Sequence, residues 1–109
     1  MDRDKVRREF SLAVNMTAAE LERWLKTPES RRVGFRSLGA SESVGHASGR
    51  QIVRILRMAE TERTDADYAH MRKVVGYVHR HRAQRPENIY TSRWRYSLMN
   101  WGHDPTREA

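Results

Sequence analysis

The stretch Thr64–Pro86, TDADYAHMRKVVGYVHRHRAQRP, decides how the rest of the chain is read. Both of its ends carry helix signals. Thr64 is a capping residue, and Asp65 and Asp67 follow in a first turn where the helix dipole favours negative charge. Arg80, Arg82 and Arg85 gather at the other end, where it favours positive charge, and Pro86 stops the helix. At about 100° per residue, Tyr68, Met71, Val74, Val75 and Val78 share one side, the stripe that a core-facing helix needs. The opposite side carries Ala66, Ala69, Lys73, Gly76, Arg80 and Ala83, so small residues alternate with basic ones. Such a face lets something come close to the backbone and meets it with positive charge. A phosphate backbone fits that description, and so does a second helix, for which the spacing of Ala69, Gly76 and Ala83 is also suited.

Outward from this segment, helical signals recur along the chain. Before it, the run from about Ser43 to Arg63 places Ile52, Ile55, Leu56 and Ala59 on one side and Arg50, Arg54 and Arg57 on the other. Its first part, SVGHASG, is open to two readings. Gly45 and Gly49 within a helix make a notch for close packing, and outside one they make a flexible lead into a helix starting near Ser48. After Pro86, a turn leads to a last helix from about Ser92 to Trp101, closed by Gly102 and kept from resuming by Pro105. Trp94, Leu98 and Trp101 share one side of it. Exposed tryptophans there would stack bases; the preferred reading is that both close the core. Tyr77 stands at the flank of the apolar stripe.

Nearer the N-terminus, Val6, Phe10, Ala13 and Val14 repeat at helical spacing over Arg3–Val14. Thr17 and Glu20 then form a T-x-x-E capping box, with Met16 placed to pack on Leu21 as a hydrophobic staple. Leu21, Trp24 and Leu25 form the buried side of that helix. Thr27-Pro28 opens a short helical turn. Residues 33–43, VGFRSLGASES, read as the main loop, with Phe35 and Leu38 expected to tack it to the core. No stretch alternates with period two for long enough to be a strand. The expected fold is all-α: one compact domain over 1–109, a bundle of about four to five helices with short connections, frayed at about 1–4 and 104–109. The apolar side of Thr64–Pro86 is expected to meet the Ile52/Ile55/Leu56 stripe, Trp24 and the Trp94/Trp101 pair.

Composition narrows the function classes. Hydrophobic residues make up 38% and charged residues 32%, which still folds because the apolar residues are grouped in periodic runs. Cysteine is absent, which removes disulfides, thiolate metal sites and thiol nucleophiles together. No apolar run is long enough for a signal peptide or a membrane span, so the chain is expected to be cytoplasmic and without a membrane partner. The formal net charge is +7. Residues 1–47 hold nine basic and seven acidic side chains, and residues 48–95 hold eleven and five, so the excess sits on the central helices and not on a tail. A polyanionic partner is the natural counterpart.

Catalysis has little to stand on. His79 and His81 are two apart and point about 200° away from each other on a helix, so they cannot share a metal. There is no H-E-x-x-H and no carboxylate cluster at ligand spacing, and the proximity of Ser43, His46 and Ser48 is too common a pattern to mark a nucleophile. The glycines of GASESVGHASGR lack the G-x-x-x-x-G-K-[ST] pattern and a preceding strand, which leaves at most a single phosphate held with Arg50. No catalytic residue, metal or cofactor is expected. The basic stripes are the stronger feature. Arg50, Arg54 and Arg57 on one helix, Lys73 and Arg80 on the other, and Arg82 and Arg85 at its end are the expected phosphate contacts, arginine being suited to them by its two-pronged donor geometry. The expected partner is nucleic acid, duplex DNA before RNA. The alternative is a protein-interaction module that docks an acidic protein or a second copy.

The runs VNMTAAELERWLKTPESRRVG, ESVGHASGRQIVRIL, DADYAHMRKVVGYVHRHRAQRP and WRYSLMNWGHDP together resemble a small domain family of unknown function found in bacteria and fungi. The resemblance spans roughly Phe10 to Pro105. Some members of that family carry the label DNA-binding protein, so the resemblance implies the same partner as the charge does. It brings no catalytic or binding residues to carry over.

Overall fold

A computed structural model describes residues 1–107 and contains six α-helices. They are α1 (Arg3–Ala13), α2 (Ala18–Leu25), α3 (Pro28–Arg32), α4 (Val44–Arg57), α5 (Asp65–Arg82) and α6 (Arg93–Asn100), with 3₁₀ turns at Glu60–Glu62 and Pro105–Arg107. Among the described residues there is no strand, and the chain is an all-α single domain.

Local capping chemistry places most of these starts. Thr17 and Glu20 form the reciprocal box that opens α2, and Thr64 and Asp67 form a second one that opens α5. Thr27, Ser43 and Ser92 each accept a backbone N–H three residues on, at the heads of α3, α4 and α6. Met16 and Leu21 are both buried at the head of α2.

The helices pair as α1 along α5 and α2 along α4, with α6 set against α2, α3, α4 and α5 at the centre. Tyr68, Met71, Val74, Val75 and Val78 of α5 are all buried, as are Ile52 and Ile55 of α4 and Trp94, Leu98 and Trp101 around α6. The two C-terminal tryptophans therefore close the core. Fully burying side chains of this size is worth roughly 1.5–3 kcal/mol each before entropy is counted. Trp24 is half-buried, and its indole N–H donates to Asn100 Oδ1 at 2.8 Å.

Several expectations are revised. The main partner of α5 is α1, whereas the α4 stripe reaches it over a shorter contact. α4 stops at Arg57 and not near Arg63, because Met58 turns extended and the Arg63 guanidinium takes the free Ile55 carbonyl at 3.2 Å. Ala59 is consequently exposed and outside the helix. α5 stops at Arg82, where the Trp94 indole N–H donates to the His81 carbonyl at 2.6 Å. Phe35 and Leu38 do not tack the loop down: they are 73% and 106% exposed.

Both described ends are tied to the fold. Arg3 and Asp4 are already in α1, capped by Asp2. Asp104 and Pro105 are buried, and Asn15 exchanges two hydrogen bonds with the Asp104 backbone, at 3.0 and 2.7 Å. Arg95 holds the Asp104 carboxylate at 3.2 Å. Burial pushes that carboxyl up, but hydrogen bonds from Arg95 and Thr106 outweigh it and hold it below the usual range. The expected fray at 108–109 lies outside the described residues.

Candidate functional site

The ambiguous start of α4 is helical, and its two glycines form the notch into which the end of α6 fits. A Cβ on Gly49 would stand 2.7 Å from the Asn100 carbonyl oxygen, and one on Gly45 2.8 Å from Trp101 Nε1. Asn100 anchors the seam. Its side chain accepts from Trp24 and from the Ser30 hydroxyl and donates to the Ser30 carbonyl at 3.0 Å. These contacts draw the N-terminus of α4, the end of α6 and the flank of α5 together.

All three α4 arginines are exposed, as their spacing predicts, but each meets a carboxylate. Arg50 makes a two-pronged pair with Glu42 at 2.8 and 2.7 Å. Arg54 donates to the buried Asp67 at 2.6 Å, and Arg57 to Glu22 at 2.8 Å. The Arg50 guanidinium holds the Glu42 carboxyl down to about 2, and the Arg57 guanidinium holds Glu22 below its ordinary value. Asp67 is lowered first by the Thr64 backbone N–H and then by Arg54. A phosphate arriving at this stripe has to displace a carboxylate.

Lys73 and Arg80 stand differently. Both are exposed, and no helix covers them; Ala66, Ala69 and Ala83 on the same face are exposed too. No ion pair to either cation is made among the described residues. The Arg80 guanidinium lies back over Gly76, where a Cβ would stand 2.9 Å from it. The question left by the small residues is answered in favour of an open face. Lys73 and Arg54 both bear on His70, whose pKa is lowered first by burial and then by Lys73, so the two basic stripes adjoin there.

Lys73 and Arg80 flank a cavity of about 260 Å³ between α5, the end of α6 and the head of α4. Tyr77 and Trp101 wall it, stacked with ring centroids 4.2 Å apart, and Ser97 lies beside the Tyr77 hydroxyl. Gly34 and the exposed Phe35 form its rim on the loop side. Sequence reasoning missed this assembly. Phe35 carries no periodic signal that distinguishes a rim from a core anchor, and Trp101 reads by preference as core. Arg82 and Arg85 are elsewhere, around a shallow hollow with His79 and Trp94, where the Arg85 guanidinium sits 6.0 Å over the Trp94 ring.

Among the described residues no group of three histidine or acidic side chains is placed to hold a metal. Neither Ser43 nor Ser48 engages the His46 ring: its nitrogens face Glu42 and the Leu25 carbonyl, and Ser48 bonds His70 at 2.9 Å. No helix is long and apolar enough to cross a membrane.

Fold and site together define a small all-α module with a cation-flanked groove beside its longest helix. The chain belongs to the family described as "Protein of unknown function (DUF3140)", which matches residues 9–99. That match ends at Met99, so the NWGHDP segment that locks the C-terminus lies just beyond it. No curated protein and no solved structure matches the chain.

Proposed function

We propose that this chain binds nucleic acid, duplex DNA before RNA, by holding backbone phosphates on the open face of α5. In this reading it is a cytoplasmic binding module and not an enzyme. The observation that carries it is the pair Lys73 and Arg80, exposed over small residues without a carboxylate between them. Small residues let a phosphate backbone approach, and the two cations are about 10 Å apart along the axis. Arg82 and Arg85 extend the charge at the end of the helix. Arg50, Arg54 and Arg57 join only by giving up Glu42, Asp67 and Glu22.

This division sets a magnitude. Each phosphate neutralised adds about −0.9 to the slope of log K against log salt. The two contacts at Lys73 and Arg80 give a slope of about −2, where all seven cations would give about −6. Fluorescence anisotropy of a labelled duplex across a salt series measures it. The double variant Lys73→Ala/Arg80→Ala should reduce the slope by about 2 while leaving the fold unchanged. Salt-independent binding, or a double variant that behaves like the parent, would overturn the reading.

A second reading, docking to an acidic protein or a second copy, is favoured by Phe35 and Leu38, two large apolar side chains exposed on one loop. Capture from lysate that survives nuclease treatment, or a dimer mass in solution, would support it against the first.

A further inference from the structure

The cavity at Lys73 and Arg80 has features that backbone phosphates alone do not require. It has an aromatic wall, an apolar rim at Phe35 and an indole donor without an acceptor. Trp101 is only 4% exposed, and its Nε1–H, which makes no hydrogen bond among the described residues, is not sealed from solvent. Here it lies against Gly45 on the cavity wall, at a point where any side chain larger than hydrogen would close on it. Trp24 and Trp94, by contrast, both donate within the fold, to Asn100 and to the His81 carbonyl.

We infer that this cavity is a binding site for a single unstacked nucleotide. Its phosphate lies between Lys73 and Arg80, its base stacks on Phe35, and a base or sugar oxygen or nitrogen accepts from Trp101 Nε1–H. At about 260 Å³ the space lies just below the usual range of ligand pockets, so it admits at most one nucleotide and not a dinucleotide cofactor. Two unpaired cations supply the charge an isolated phosphate monoester needs. Exposed Phe35 supplies a face on which any base can stack. The nucleotide has two sources, a free mononucleotide or an unpaired residue of a single strand, with the same chemistry at the site. The inference rests on the proposed function only in using Lys73 and Arg80 as phosphate contacts.

The test uses the full chain, ¹⁵N-labelled, titrated with adenosine monophosphate, adenosine, inorganic phosphate, a short single-stranded oligonucleotide and the same oligonucleotide as a duplex. Adenosine monophosphate should shift the Trp101 indole N–H signal and leave those of Trp24 and Trp94 in place. Adenosine and phosphate alone should each bind at least about tenfold more weakly, since each keeps only part of the contacts. Phe35→Ala, at an exposed loop position, should weaken adenosine monophosphate about tenfold and change duplex affinity less than about twofold. Tighter binding of the single strand than of the mononucleotide assigns the site to unpaired residues of a polymer; the reverse assigns it to a free ligand. An unmoved Trp101 signal at millimolar adenosine monophosphate, or a Phe35→Ala variant that binds it like the parent, would overturn the inference. Duplex binding without nucleotide binding sinks this inference alone, and nucleotide binding without duplex binding sinks only the phosphate-backbone reading.

Discussion

Two helices of this protein carry basic stripes that look alike as sequence and differ in the folded chain. On α4, Arg50, Arg54 and Arg57 are each matched by a carboxylate that lies eight, thirteen and thirty-five residues away. On α5, Lys73 and Arg80 have no such match among the described residues. The lesson is that helical spacing tells which cations share a face, and only the packing of other elements tells which of them are available. The glycines repeat the contrast. Gly49 on α4 is pressed against the Asn100 backbone, whereas Gly76 on α5 faces only the tip of the Arg80 side chain.

Gly49→Ala gives the largest expected effect and would break the comparison if it were harmless. Its Cβ would meet a backbone oxygen that cannot rotate away, and overpacking of this kind costs about 1–3 kcal/mol. Chemical denaturation should show the midpoint falling with an unchanged slope.

Gly76→Ala should move the other way. Alanine is better than glycine in an exposed helix interior by about 0.5–1 kcal/mol, and the flexible Arg80 guanidinium can shift to make room. A rise in melting temperature is the expected result. A clear fall would mean that the α5 face is packed against something in solution, with a second copy the first suspect.

Glu42→Gln sharpens the contrast by releasing Arg50, at a stability cost of less than about 1 kcal/mol because the pair is at the surface. The sign follows from the lowered carboxyl. Glu42 is held at about 2 in the fold against an ordinary 4.5, so its stabilisation is complete above about pH 4.5 and is lost as pH falls towards 2. The parent's melting temperature should therefore drop more steeply than the variant's across that window, and parallel curves would count against the pair. The same variant should add about one unit to the salt slope of duplex binding, since Arg50 becomes free to meet a phosphate.

Helix starts and the core stripe were legible in the sequence because their causes are local. Thr17 with Glu20 and Thr64 with Asp67 act across three residues, and the Tyr68–Val78 stripe needs only the helical period. Helix ends were less legible: Arg57 and Arg82 end their helices beside contacts from Arg63 and Trp94 that no capping residue announces. The C-terminal lock, in which Asn15 pairs with Asp104 and the His103 ring faces the Ala13 carbonyl, joins segments about ninety residues apart and leaves no local trace. Phe35 shows the converse error, since an apolar residue in a loop is read as an anchor until the structure leaves it at the rim of a cavity.

By itself, then, the sequence determined an all-α chain, the faces of its helices and a surplus of positive charge on the middle of the chain. Propensity, capping and periodicity act over a few residues, and a single chain carries all of that information in order. Tertiary structure alone decided that α5 pairs chiefly with α1, that Glu42, Asp67 and Glu22 occupy one arginine stripe, and that Lys73 and Arg80 flank a cavity beside an unpaired indole donor. Those outcomes depend on which distant side chains meet when the core closes, and charge pairing at that distance has no period for a sequence to show.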